Sequence, residues 1–442
     1  MSAREFAAKP LNMRTLLLLP LLALATPVAA REAPSPERLK ADVAKLVSFG
    51  TRHTLSSPDH PTRGIGAARR WFAGEMDRIG QACGGCITVA NIARGFTGPR
   101  APDGAQVVDV LGFQQGRDSK RVVILMGHID SRVSDVMDVT SDAPGANDDA
   151  SGVALVLEAA RILSKEKFDA TIVYAALSGE EQGLWGAQLL AETAKERGWT
   201  VSAVLNNDIV GNTRGQDGRR VADRVRVFSE GIRSSESLEQ QMARRAAGGE
   251  DDGPSRALAK AVDHVAATLP GGLDAFLDRR ADRFGRGGDH EAFLKLGYPA
   301  IRFSEAVENY DAQHQDLRTE AGRFYGDTIE RMDFPYLAKV TALNIATAAR
   351  LAAAPAAPEG VAIAGALQTD TTVTWQAVPG ATGYRVHWRR NDAQDWTDHA
   401  DVHGTRHVLK GVIVDDHFVG VSALAKDGSE SIVTFAARAP RG

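Results

Sequence analysis

"ATIVYAALSGEEQG" (Ala170–Gly183) runs from an apolar, β-branched stretch straight into a glycine and two adjacent glutamates. The apolar part is too short for a helix of ordinary length and reads as a strand buried on both faces. Successive residues of a strand point to opposite sides. A pair of carboxylates where such a strand runs out therefore needs a turn that aims both side chains at one place.

The same pattern recurs on either side. "RVVILMGHID" (Arg121–Asp130), "VSAVLNNDIVGN" (Val201–Asn212) and "YPAIRFSEA" (Tyr298–Ala306) are further buried-type strands. Between the first of these and the opening stretch lies "SGVALVLEAARILSKE" (Ser151–Glu166), where Val153, Val156, Leu157, Ala160 and Leu163 share one helical face. "SPERLKADVAKLVSF" and "RGIGAARRWFAGEMDRIG" predict two helices near the start, and "ALNIATAARLAAA" (Ala342–Ala354) a closing one. Alternation of this kind predicts an α/β domain over residues 31–354: a mostly parallel, mixed sheet flanked by helices. Residues 230–288 are polar, helical in pattern and broken by glycines, and are expected to form an insertion over one sheet edge, a candidate lid.

The class changes after the proline-alanine linker at 355–360. "TVTWQAV", "GYRVHWRR", "RHVLKGV" and "HFVGVSALA" are short alternating strands that predict an all-β sandwich over 361–442. Trp375, Tyr384 and the "FVGVSALAKDGSES" stretch resemble a fibronectin type III domain. Such a tail suits binding to a surface or polymer.

A length of 442 residues accommodates two or three domains, and a net charge of -4 with scattered basic residues argues against nucleic acid as a partner. At the N-terminus, Arg4, Lys9 and Arg14 precede the apolar run Leu16–Ala25, and Val28 and Ala30 are the small residues before a cut. Residues 1–30 therefore read as a secretory signal, with Met13 as an alternative start. Pro20, Pro27 and the short run argue against a spanning helix and stable membrane insertion. In an oxidising compartment, Cys83 and Cys86 of "CGGC" favour a small disulfide, since zinc would want a second such pair.

Polar clusters fall at, or just beyond, the ends of the strands: His128 and Asp130, Asp148 and Asp149, Glu180 and Glu181, Asp208, and later His314. Each alone has an ordinary explanation. Asp149 or Ser151 would cap the following helix, and adjacent glutamates usually face solvent. Jointly they place imidazole and carboxylate where open α/β sheets bind ligands. Two histidines and several carboxylates without thiolate suit zinc or another divalent transition metal. Asp148 as a bridge, with His128, Glu181, Asp208 and His314, supplies enough ligands for two ions. Asp130 is placed to orient the His128 ring, and Glu180 is left for proton transfer.

"GHID", "NDDASG", "SGEEQG", "NND" and the late histidine, in that order over roughly Arg31–Ala354, resemble the M28 family of co-catalytic zinc peptidases. The resemblance implies that Asp148 bridges two zinc ions. It implies His128 and Asp208 on one ion, Glu181 and His314 on the other, Glu180 as general base, and a cis peptide between Asp148 and Asp149. It implies peptide or protein substrates and an aminopeptidase as the first reading. A carboxypeptidase or dipeptidase, a glutaminyl cyclase and a non-catalytic receptor or adhesion protein are the alternatives. For a carboxypeptidase, Arg279, Arg280, Arg283 and Arg286 are the candidate carboxylate pocket. The last motif departs from the common Tyr-His-Thr: here it is "AQHQD", with Tyr310 four residues before His314, which weakens any oxyanion role for Tyr310. His290 in "GGDHEAFL" is expected near the site without binding metal.

Overall fold

A computed structural model describes residues 31–439, so the expected signal at 1–30 lies outside the described residues. The chain begins with helices α1 (Pro36–Val47) and α2 (Gly64–Ala82). A hairpin of β1 (Ile87–Gly98) and β2 (Ala101–Gln114) leads to β3 (Asp118–His128), α3 (Ala150–Leu163) and β4 (Ala170–Leu177). Next come α4 (Glu180–Gly183), α5 (Trp185–Glu196), β5 (Thr200–Asn207), β6 (Arg224–Phe228), α6 (Leu238–Ala246) and α7 (Pro254–Thr268). Then come β7 (Asp274–Asp278), α8 (His290–Lys295), β8 (Ala300–Glu305), the small hairpin β9 (Arg318–Glu320) and β10 (Arg323–Tyr325), and α9 (Phe334–Ala353).

Eight of these strands form one sheet in the order β1-β2-β4-β3-β5-β8-β6-β7. The central β4, β3, β5 and β8 are parallel, while β2 joins β4, and β6 joins β8, antiparallel. This is the mixed α/β sheet the alternation predicted. Every residue of β4 is buried, as its continuous apolar run requires. Helices α1, α3, α7 and α9 pack on one face around Leu157, Leu343 and Val262; α5 and α8 cover the other around Leu190 and Phe293. Cys83 and Cys86 form a disulfide between α2 and β1.

The stretch expected as a purely helical insertion holds more than helices. β7 lies inside it and pairs with β6, so it completes the sheet edge. Its helix α7 belongs to the core, and α6 lies against the C-terminal sheets, where Gly248 and Gly249 leave room for Phe418 and Phe435. Only the loop after β7 borders the cleft at the strand ends. The expected linker is packed too: Pro355 and Pro358 are buried.

The tail comprises β11 (Ala362–Ala364), β12 (Thr371–Thr374), β13 (Gly383–Arg390), β14 (Asp398–Val402), β15 (Arg406–Leu409), β16 (His417–Leu424), β17 (Thr434–Phe435) and β18 (Ala437–Arg438). They form two four-stranded sheets, β15-β12-β11-β18 and β14-β13-β16-β17, closed over Val373, Trp375, Tyr384, Val386 and Val421. The tail is fixed to the α/β part by a buried charge cluster. Arg389 grips Asp252 with Nη2 at 2.7 Å and Nη1 at 3.2 Å, and Lys260 reaches the same carboxylate at 2.8 Å.

Candidate metal centre

Register sets the site. His128, the last residue of β3, lies opposite Leu177, the last of β4, and Asn207 closes β5 opposite Phe303 of β8. The segments leaving these strands therefore emerge at the same end of the sheet. After β4, Gly179 adopts φ 75, a left-handed turn that glycine takes without strain, and α4 starts at once with Glu180 and Glu181. Asp208 leaves β5, Asp148 precedes α3, and His314 arrives from the loop after β8 at φ 53. A second glycine matters: a Cβ on Gly152 would lie 2.2 Å from the Asn207 carbonyl oxygen, so the first turn of α3 approaches β5 only because that atom is missing. The Asp148–Asp149 peptide is cis, as the resemblance implied.

Asp148 stands between the two histidines, with Oδ1 3.1 Å from His128 Nε2 and Oδ2 3.0 Å from His314 Nε2. Glu181 Oε1 is 3.0 Å from His314 Nε2, and Asp208 Oδ1 is 3.8 Å from His128 Nε2. Ligands of one tetrahedral zinc ion sit roughly 3.3 Å apart, given bond lengths of about 2.0–2.1 Å. Two groups meet that scale, His128–Glu180–Asp208 and Asp148–Glu181–His314, each with donor atoms within 4.8 Å of one another. Buried Glu181 Oε1 has no hydrogen-bond partner although it faces a ring nitrogen, which fits a place kept for a cation. The donor set therefore fits two divalent ions. The first group includes Glu180, the residue expected as base, so distance alone leaves it a candidate ligand as well.

The same ordered residues decide the family. Residues 109–329 match the model described as peptidase family M28. A probable zinc metalloprotease of Leptosphaeria maculans is 44% identical over 408 residues, 90% of this chain and 94% of the relative. The chain belongs to peptidase family M28. Among solved structures, the LapA aminopeptidase of Legionella pneumophila matches with a TM-score of 0.51 at 18% identity over 72% of each chain. A glutaminyl cyclase of Porphyromonas gingivalis matches with 0.50 at 19% identity over 72% of this chain and 98% of that one. At such identities the likeness is one of fold.

In this M28 site, burial acts on every carboxylate and neighbours decide which way each goes. Burial raises Glu180 well above the usual range, and Glu181 and Asp208 push it further despite His128. Burial works against the charge of Asp148 too, but His314 and His128 hold it well below its ordinary value. Asp208 is lowered against burial by Arg302 and His128. His314 is raised to about 10 because Glu181 and Asp148 outweigh burial. Its Nδ1 is 2.6 Å from Arg132 Nη2, while Arg132 Nε donates to Glu181 Oε2 at 2.7 Å. A guanidinium only donates, so a hydrogen bond here needs a neutral ring with Nδ1 bare, against the cationic ring that Glu181 and Asp148 favour. Holding an ion through Nε2 requires the proton on Nδ1, and hence Arg132 turned aside.

Asp130 does more than its spacing predicted. The His128 Nδ1 lies 3.1 Å from the Asp130 carbonyl oxygen and 3.5 Å from its carboxylate, so the backbone is the nearer partner. The carboxylate accepts from the Glu180 and Glu181 amides, at 3.4 and 3.2 Å, and from Thr54 Oγ1 at 2.9 Å. Asp130 thereby positions a ligand candidate and the adjacent glutamates together. Asp149 caps α3, its Oδ1 accepting from Gly152 N at 2.9 Å, in line with the cap explanation.

Several supporting residues were not foreseen. Asp327 accepts from the Asn147 and Asp148 amides and secures the segment that carries the bridge. Arg302, wholly buried, lies 3.0 Å from Asp208 and 2.9 Å from Asp282. An arginine inside the apolar run "YPAIRF" was the available signal. His290 is structural: it is buried, with Nε2 2.6 Å from the Ala281 carbonyl oxygen. Tyr310 is 55% exposed and does not line the cleft, which agrees with the doubt cast by its spacing.

Proposed function

We propose that this M28 peptidase is an exported, two-zinc exopeptidase that releases residues from the N-termini of peptides. The observation that carries it is Asp148, whose two oxygens face His128 and His314 at 3.1 and 3.0 Å, so that one carboxylate joins two ligand groups. Zinc is favoured by the nitrogen-oxygen donor set and by relatives named as zinc metalloproteases. When bound, the ions supply Lewis acidity toward the scissile carbonyl and a more acidic water.

The chain's own part is positional and protonic. His128, Asp148 and Asp208 would hold one ion, and Asp148, Glu181 and His314 the other. Glu180, one peptide bond from Glu181 and lining the cleft, takes the proton of the attacking water and returns it to the leaving amine. Asp130 keeps that glutamate pair in register with His128. Export rests on the pattern of residues 1–30. The sandwich, with strand order β14-β13-β16-β17 over β15-β12-β11-β18, is read as fibronectin type III-like, a module for attachment to a surface or polymer.

Glu180→Gln tests the division of labour. Expected are two zinc ions per chain by elemental analysis and a fall in kcat of about 10²–10⁴-fold on aminoacyl anilides. Loss of one ion would make Glu180 a ligand, and near-normal turnover would remove it from the mechanism. Free-amine against N-blocked peptides tests the direction: cleavage of the blocked series alone would overturn the aminopeptidase reading.

A further inference from the structure

We propose that substrates of this site carry a carboxylate beside the scissile bond, received by a wall formed by Arg100, Arg283 and Arg286. The inference rests on the peptidase reading and adds the substrate class. All three arginines border the cavity of about 470 Å³ that also exposes Asp148, Glu180, Glu181, Asp208 and His314. The carboxylates on its floor are committed to cations by their donor geometry. The wall is different in sign, with three guanidiniums against one bordering carboxylate, Glu291.

Local compensation is incomplete. Glu308 is shared by three guanidiniums: Arg226 at 2.5 Å, Arg286 at 3.0 Å and Arg283 at 3.3 Å. Asp282 is divided between Arg302 and Arg283, at 2.9 and 3.1 Å. Arg100 gives a hydrogen bond of 2.6 Å to a neutral acceptor, the Glu181 carbonyl oxygen. Glu308 and Asp282 therefore serve Arg226, Arg283 and Arg286, while Arg302 draws on both Asp282 and Asp208, and Arg100 faces a carbonyl. An incoming carboxylate would match the planar fork of a guanidinium and complete the charge balance. Gly285, between the two loop arginines, and Gly287, beside the second, line the cavity without side chains, and Phe284, also between them, does not line it.

The carboxylate has two sources, the α-carboxylate of a short peptide and an acidic side chain, and matched pairs separate them. The zinc-loaded full chain would be assayed on alanyl-alanine and its C-terminal amide, and on amidated peptides with glutamate or glutamine on either side of the scissile bond. The expected result is a preference of about tenfold in kcat/KM, mostly through KM, for the carboxylate member of at least one pair. In Arg283→Gln/Arg286→Gln, or in Arg286→Gln alone should the double variant not fold, that ratio should drop at least threefold. No pair differing by threefold, or a ratio kept in these variants, overturns the proposal. Should no peptide be cleaved at all, the peptidase reading fails separately. Calorimetric binding of the same pairs to zinc-loaded Glu180→Gln still decides the wall: tighter binding of a carboxylate member, lost without the arginines, upholds it, and equal binding overturns it.

Discussion

Charge is buried in two places, the metal-site cleft and the contact between the α/β part and the sandwich, and the two are built differently. At the contact, Asp252 is saturated by Arg389 and Lys260, and Arg389 is further covered by Trp396 and Phe418, at 4.5 and 4.9 Å from its guanidinium. In the cleft, four carboxylates converge, and a buried oxygen of Glu181 has no hydrogen-bond partner. A saturated cluster is complete as it stands. An unsaturated one at the strand ends is a place for something else to bind. Buried charge is thus informative about function mainly through what is left over.

Removing metal should separate the clusters most sharply. Exhaustive chelation is expected to abolish peptide hydrolysis and to lower unfolding stability by about 4 kcal/mol for each ion lost, relative to protein in zinc at 1,000 times its Kd. Denaturant titration with and without chelator measures it. Equal stability in both would mean the cleft is as self-sufficient as the contact. Next in size, Asp252→Ala strands both Arg389 and Lys260 and should cost about 3–5 kcal/mol by the same titration, whether or not zinc is present. A loss that appears only in the chelated protein would couple the two clusters and break the distinction.

Acid probes a third group, inside the sandwich. Burial disfavours the Glu430 carboxylate, yet His387, Ser422 and Arg385 hold it at about 2. A depressed folded pKa means the contribution is full above the unfolded value near 4.5 and is lost as pH falls toward 2. The shift amounts to about 3 kcal/mol in all. Glu430→Gln should flatten that part of the stability curve, and an unchanged pH profile would discount the pairing. Ser422, His387 and Glu430 form a closed triangle, with His387 Nε2 2.9 Å from both Ser422 Oγ and the Glu430 oxygen to which Ser422 donates, and Ser422 is buried. The smallest effect is expected from Cys83→Ser, since a disulfide across so short a loop adds about 2 kcal/mol of stability.

Much of the site could be read before any coordinates, because the strands are buried runs and their ends are marked by polar residues in otherwise apolar text. His128, Glu181 and Asp208 each come after such a run by at most a few residues, so their convergence needs only a parallel register. Residues whose role depends on distant partners could not be read. Asp327 lies about 180 positions from the amides it holds, and Arg132 looks like any polar residue after "GHID". β6 and β7 were also missed. Five residues each, with charged residues in both, they resemble loop until paired at the sheet edge.

The stretch between β6 and β8 carries none of the five ligand candidates and not Glu180, yet it holds both Asp252, which anchors the sandwich, and Arg283 and Arg286, which edge the cleft. Attachment of the sandwich through Asp252 and one side of the cleft therefore lie in one contiguous segment of chain. Exchanging it between related chains would change what the protein is fastened to and what it admits in a single event, while the residues that perform the chemistry stay where they are.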